Sequence, residues 1–417
     1  MSPHHVARGQ TVLLIATLDT KAAEAAYVRD LIVQRGHAVV VLDPGVLGEP
    51  PFSPDIEAST VAAAGGTPLT VLRANGDRGA ALDVMARGAA ALAVQLHAEG
   101  RVHGVLGLGG SCGTAIASAA MRALPFGLPK VMVSTVASGQ VGSYVGVKDL
   151  TMMYSVVDIA GLNRISRRIL ANAAGAVTGM LGAPVPVSDD RLVVAMTMFG
   201  VTTPCVDRLR GAIETAGFEV LVFHATGSGG RAMEELIKAG FIAGVADVTT
   251  TEWADELVGG MLAAGPDRLD AAANAGIPQI VSVGALDMVN FGPRDSVPAR
   301  FARGTLHVHN PNVTLMRTTP DECRQLGEII AAKLNRATGP TTLFLPLKGV
   351  SALDRDGQRF HDPEADAALF DALRRTVGPA VTLVELDLHI NDPAFADAMA
   401  ERLLTDLAGS MHAIHRA

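Results

Sequence analysis

The chain predicts an α/β protein of two Rossmann-like lobes with mainly parallel sheets, facing each other across a cleft. Three observations carry that expectation. Short, wholly apolar runs of strand length recur along the chain, one strand–helix–strand statement is repeated after residue 190, and glycine-rich turns stand where strands give way to helices. A continuous apolar run is what a strand buried on both faces requires, and helices covering a parallel sheet bury both faces.

Val12-Leu13-Leu14-Ile15-Ala16 is the first such run. Thr17, Leu18, Asp19 and Thr20 then turn into a helix starting near Lys21, Gly36 ends it, and Ala38–Leu42 makes the second strand. Such a unit closes with a right-handed crossover. After residue 190 the plan returns. Residues 192–196 are the strand, Thr197 takes the place of Thr17, and a helix begins around Pro204, where proline suits the first turn. Gly217 ends that helix and residues 220–223 form the next strand. A second echo pairs residues 127–134 (Gly-Leu-Pro-Lys-Val-Met-Val-Ser) with 276–283 (Gly-Ile-Pro-Gln-Ile-Val-Ser-Val). Each predicts a late parallel strand leading into a polar loop, residues 135–142 and 284–292. The join is expected in residues 182–190, with two prolines and a polar end, giving lobes of residues 1–185 and 190–417. A cleft between them is the expected ligand site.

Composition fits this plan. The chain has 417 residues, where about 100–200 make a domain. Apolar residues make up 49% and aromatic ones 4%, so small side chains can bring helices close to a sheet. The formal charge is −8 without a dense basic run, which argues against a nucleic-acid partner. Cys112, Cys205 and Cys323 are odd in number and widely spaced, so they predict reduced thiols in a cytoplasmic protein and not a disulfide or zinc framework. Residues 1–10 hold two histidines but no apolar signal core, and no membrane span is expected.

The strongest local signal is residues 103–114, His-Gly-Val-Leu-Gly-Leu-Gly-Gly-Ser-Cys-Gly-Thr, an apolar strand running into glycines and a helix. Gly107, Gly109, Gly110 and Gly113 allow a backbone to approach an anion, the amides of the helix start point at it, and Ser111 and Thr114 add hydroxyls. No Gly-Lys-Ser/Thr closes the turn, so it is not a Walker A loop, and Gly-x-Gly-x-x-Gly is matched only loosely. It reads as a phosphate cradle or as a tight turn without a ligand. Loops of a parallel sheet gather at one edge, which makes Thr17, Asp19, Thr20, Lys21, Ser134, Thr135 and Ser138 candidate neighbours. Asp19 is a Mg²⁺ ligand or a helix cap, and Lys21 a phosphate partner or a solvated side chain. Residues 224–231 offer a second glycine turn, with Arg231, as an anion site or a plain loop.

In the second half, His307 and His309 share one face of an extended segment, and Asp387 and His389 do likewise. They could bind a metal or supply acid and base, or be polar strand ends. Thr249 to Glu256 reads as a helix start, with Glu252 as a catalytic acid the alternative. Lys348 and Ser351 follow a strand, but no Gly-x-Ser-x-Gly elbow surrounds Ser351, so a hydrolase nucleophile is unsupported.

Seven segments carry a resemblance: residues 16–21, 107–111, 133–138, 309–318, 346–351, 360–366 and 389–392. The chain resembles a bacterial and fungal family of uncharacterised proteins related to the N-terminal domain of the plant tomato mosaic virus resistance protein. The resemblance implies an ATP-binding protein with two α/β subdomains that forms a homodimer or higher homo-oligomer, without supplying a reaction. ATP held by residues 107–114 and the neighbouring loops, with Mg²⁺ on its phosphates, is the leading expectation. The alternative is a metabolic enzyme, kinase-, hydrolase- or lyase-like, acting on a small phosphorylated or carboxylated substrate in the interlobe cleft. A third is a binding module without turnover.

Overall fold

The computed structural model describes residues 9–184 and 191–414. The chain divides into two compact units, Met1–Val187 and Ser188–Ala417. Of the segment expected to join them, residues 185–190 lie outside the described residues, as do residues 1–8 of the N-terminal stretch.

The first unit runs β1 (Thr11–Ile15), α1 (Leu18–Gln34), β2 (Ala38–Leu42), α2 (Ala58–Ala64), α3 (Leu69–Asn75), α4 (Arg78–Ala98), β3 (Gly104–Gly109), α5 (Ser111–Ala123), β4 (Lys130–Ser134), α6 (Gly142–Val145), β5 (Thr151–Tyr154) and α7 (Arg164–Leu181). Its five strands form a parallel sheet in the order β2-β1-β3-β4-β5. The apolar run of β1 is buried on both faces. Val12 and Leu14 join the core made with α1 and α7, while Leu13 and Ile15 join the core under α2, α4 and α5. Each such side chain contributes roughly 1.5–3 kcal/mol through burial. The first helix starts at Leu18, three residues ahead of the expected Lys21, where the helix instead kinks (φ −127°, ψ 19°). Gly36 follows it at φ 87°, a conformation that favours glycine.

α4 is the one described helix long and apolar enough to cross a membrane by length and composition. Its Ala81, Val84, Met85, Ala89, Ala93 and Leu96 are buried in the core shared with α2 and α5, which accounts for that composition.

The second unit runs β6 (Val193–Met198), α8 (Thr203–Thr215), β7 (Glu219–His224), α9 (Ser228–Lys238), β8 (Gly244–Thr249), α10 (Glu252–Val258), α11 (Ala271–Ala275), β9 (Gln279–Gly284), β10 (Met288–Phe291), β11 (Leu306–Asn310), β12 (Val313–Arg317), α12 (Pro320–Leu334), β13 (Thr341–Pro346), α13 (Pro363–Thr376), β14 (Thr382–Leu386) and α14 (Pro393–Ile414). Six strands form a parallel sheet, β14-β13-β9-β8-β6-β7, and three form a small antiparallel one, β10-β12-β11.

The repeat is visible in the strand orders. β2-β1-β3-β4 and β7-β6-β8-β9 are the same arrangement, with β4 and β9 formed by the echoed Gly-x-Pro segments. It stops after β9. Residues 284–292, expected as a polar loop, contain β10, all four of whose residues are buried and paired antiparallel with β12. Val289 and Phe291 on one face and Met288 on the other are apolar side chains that a solvated loop would waste, and an inserted sheet buries them.

Candidate functional site in the first unit

The chain rule for open parallel sheets places ligands at the carboxyl ends of strands where the order reverses. In the first sheet that point lies between β1 and β3, since β2 is laid to one side of β1 and β3 to the other. A cavity of about 780 Å³ opens there, within the size range of small-molecule sites. Thr17, Asp19, Thr20 and Lys21 line it from the end of β1, Pro44, Val46 and Leu47 from the loop after β2, and Gly110, Ser111, Cys112, Gly113 and Ile116 from the start of α5. The remaining wall is the α3–α4 corner: Leu72, Arg73, Gly76, Asp77, Arg78, Ala81, Leu82 and Met85.

The glycines of the turn differ in what they do. A Cβ on Gly107 would lie 2.6 Å from Met132 Sδ and 2.7 Å from Ala117 Cβ. On Gly109 it would meet Gly113 Cα at 2.7 Å, and on Gly113 the Leu108 carbonyl oxygen at 3.1 Å. These three let α5 lie against the sheet. Gly110 has nothing nearer than Thr135 Oγ1 at 3.7 Å and has an ordinary φ of −76°, so packing leaves its face open. It is the N-cap of α5 and supplies no side chain to the helix amides. The first bond inside the helix is Thr114 N–H to Gly110 O, 2.8 Å, so the amides of Ser111, Cys112 and Gly113 precede it without an intrahelical acceptor.

Thr17, Asp19, Thr20 and Lys21 are thus brought together with Gly110, Ser111 and Gly113 around one cavity. Gly107, Gly109, Thr114, Ser134, Thr135 and Ser138 are not among its lining residues. Thr114 and Ser134 are buried and face each other through their hydroxyls at 2.7 Å, tying α5 to β4. Thr135 is half-buried, its N–H donated to Gly109 O at 3.2 Å, and Ser138 is exposed.

Asp19 does not cap α1. Its Oδ2 accepts the Leu47 N–H at 2.9 Å, joining the β1 turn to the β2 loop. Beneath them Asp43 accepts the Leu18 and Gly45 amides through Oδ1, and burial raises its carboxyl above the usual range. Lys21 makes no ion pair among the described residues. Arg78 reaches Cys112 Sγ at 3.3 Å, over the start of α5. Arg73 donates to Val46 O at 2.9 Å and Gly48 O at 3.2 Å. Asp77 caps α4 through the Gly79 and Ala80 amides. Three cations and two carboxylates therefore line the cavity. Arg73, Asp77, Arg78 and Leu47 escaped the sequence reading, because they stand about 30 or more residues ahead of the glycine turn. Asn75-Gly76-Asp77, a turn followed by an N-cap, is the signal that could have drawn attention there.

The second glycine turn already holds an anion of its own. Glu252 Oε1 accepts the Gly227 and Gly230 amides at 2.7 and 3.0 Å, and Oε2 accepts Arg268 Nε at 2.7 Å. Arg268 is fully buried and pairs in two-pronged fashion with Asp247 at 2.5 and 2.6 Å. Three surrounding carboxylates, Asp247, Glu252 and Glu234, hold its pKa well above the usual value despite burial. Arg231 turns back to Gly227 O. Among the described residues, no three His, Cys, Asp or Glu side chains are grouped to hold a metal. His389 donates from Nε2 to Ser351 O, Asp387 is an exposed partner of Lys348, and His307 and His309 lie side by side on β11. Ser351 is buried and donates its hydroxyl to Asp287 at 2.7 Å.

Comparison with known proteins places the chain in a family. Residues 10–185 match the model described as "Uncharacterised protein family (UPF0261) N-terminal domain" and residues 191–407 its C-terminal domain. A UPF0261 protein of Clostridium tetani (strain Massachusetts / E88) is 51% identical over 395 residues, 94% of this chain and 98% of that protein. The ToMV resistance protein Tm-1(GCR237) of Solanum lycopersicum is 45% identical over 343 residues, 80% of this chain but 46% of the tomato protein. Among solved structures, a C2-type ketoreductase from a modular polyketide synthase aligns over 97% of this chain and 89% of its own at 19% identity. Its TM-score is 0.22, a likeness that carries no argument. Two family models matched in tandem and relatives this similar establish that the chain belongs to the UPF0261 family.

Proposed function

We propose that the first unit binds a nucleotide, ATP, with its phosphates at the start of α5. One observation carries the reading: the cavity at the β1/β3 reversal joins an open helix N-terminus and three cations to an apolar wall. Free amides and the partial positive charge of a helix start favour phosphate oxygens. Gly110 leaves room for them, and Lys21 and Arg78 add charge from either side. Leu72, Leu82 and Met85 suit the uncharged remainder of the ligand. Asp19 commits Oδ2 to Leu47, which leaves Oδ1 for a Mg²⁺ ion that arrives on the phosphates, the usual division of ligands for that metal.

The three free thiols suit a reducing cytoplasm, where such a ligand is at hand. The homodimer expected from the family resemblance belongs to the same proposal.

Calorimetric titration of the full chain with ATP and Mg²⁺ tests the reading. Saturable binding is expected, weakened at least about tenfold by Gly110→Val, whose branched side chain occupies the open face. Absence of binding at millimolar nucleotide, or equal affinity in the variant, contradicts it.

A further inference from the structure

We propose that Leu47 forms the base-binding wall of this cavity, so that the ligand is a nucleotide read at its base and not a bare polyphosphate. The inference rests on the nucleotide reading and names which part of the ligand the β2 loop recognises.

Leu47 is 84% exposed, the most exposed of the large apolar side chains among the described residues, yet its backbone is firmly held. Its N–H is donated to Asp19 Oδ2 at 2.9 Å. The carbonyls on either side, Val46 O and Gly48 O, both accept from the Arg73 guanidinium, which also reaches Glu49 at 3.4 Å. Four polar contacts therefore hold the loop backbone that carries this exposed isobutyl group on the lining of the cavity. Such fixing lowers the ordering cost of a contact made later with a ligand.

The rest of the wall agrees. Leu72, Leu82 and Met85 line the same cavity from α3 and α4. An apolar slot between a loop and a helix pair suits the flat, weakly polar face of a base and offers nothing to a phosphate. Lys21, Ser111 and the α5 amides offer the opposite. Asp19 sits between the two ends, since it belongs to the β1 turn and fixes the β2 loop. It is a positioning residue for Leu47.

The test compares MgATP with inorganic tripolyphosphate, each titrated calorimetrically into the full chain, in wild type, Leu47→Ser and Leu47→Met. Wild type is expected to bind MgATP the more tightly. Leu47→Ser should weaken MgATP about tenfold, as loss of a buried leucine contact does, and leave tripolyphosphate unchanged. Leu47→Met should keep wild-type behaviour. Melting of both variants should match wild type, because an exposed side chain supports no core. Wild-type affinity for MgATP in Leu47→Ser, or wild-type binding of the two ligands with equal affinity, overturns the inference and leaves the nucleotide reading standing. Equal weakening of both ligands overturns it too, because the loop would then serve the phosphates. A wild-type chain that binds neither ligand removes both.

Discussion

Gly107 and Gly110 stand three residues apart and do opposite things. The first is glycine because α5 touches the sheet there, and the second because nothing touches it. Sequence shows four glycines in a row of eight residues and cannot separate these causes, since the crowding atoms come from Met132 and Ala117. The same limit hid the acids of the second unit. Asp287, Asp354 and Asp366 come from three separate segments and converge on one guanidinium, Arg317, with Ser351 and the Cys323 thiol beside them. Asp287 Oδ1 and Asp354 Oδ1 are buried without a hydrogen-bond partner. Burial, then the Asp354 charge, push Asp287 up to about 7 and Asp366 up to about 8, and burial raises Asp255 to about 7. Raised carboxyl values mean that the folded chain binds more protons than the unfolded chain between about pH 4 and pH 8. Their stabilising contribution is full below that range and is lost as pH rises through it. Denaturant unfolding should therefore show the second unit weakening between about pH 4 and pH 8. Asp366→Asn, which removes one of these titrating carboxyls, should flatten that slope. A slope unchanged by the variant contradicts a raised Asp366 carboxyl.

The α5 and α9 N-termini present one physical problem with two solutions. Both follow glycine-rich turns and both leave amides without intrahelical acceptors. At α9 the chain supplies its own carboxylate, Glu252, and backs it with the buried Arg268. At α5 no side chain caps the helix, and the amides face a cavity. The elements themselves were largely legible: β1, β2, β6, β7 and the echoed β4 and β9 follow from short apolar runs and from glycines and prolines at their ends. The place of β10 in the small antiparallel sheet was not, because its pairing with β12 joins residues about 25 apart, whereas β11 and β12 form a local hairpin. The identity of the α9 cap was equally hidden, since Glu252 lies 25 residues beyond Gly227 and reads by itself as a helix start. Glu252→Ala should leave two amides and part of a buried guanidinium unpaired, costing the second unit about 3 kcal/mol. Urea unfolding reads that loss, and a cost below about 0.5 kcal/mol would show that the carboxylate adds little.

At the scale of the molecule, one sheet plan is used twice with different outcomes. In the first unit the reversal point between β1 and β3 is open and lined by cations, hydroxyls and an apolar wall. In the second, the matching point between β6 and β8 is closed by buried threonines, with the Thr202 and Thr249 hydroxyls 2.8 Å apart and Thr197 donating to Asp247. Sequence placed a phosphate-suited turn at a strand end and grouped it with Thr17–Lys21. It could not supply the α3–α4 corner, because helices α2 to α4 intervene between β2 and β3 and fold back over the site. On the proposed reading, the open reversal point of the first unit holds a nucleotide by its phosphates. A crystal structure of the chain soaked with Mg²⁺ and a non-hydrolysable ATP analogue tests it most directly. Phosphate oxygens are expected within hydrogen-bond distance of the Ser111–Gly113 amides, with the base against Leu47; an analogue bound elsewhere, or an empty cavity at saturating ligand, would contradict that reading.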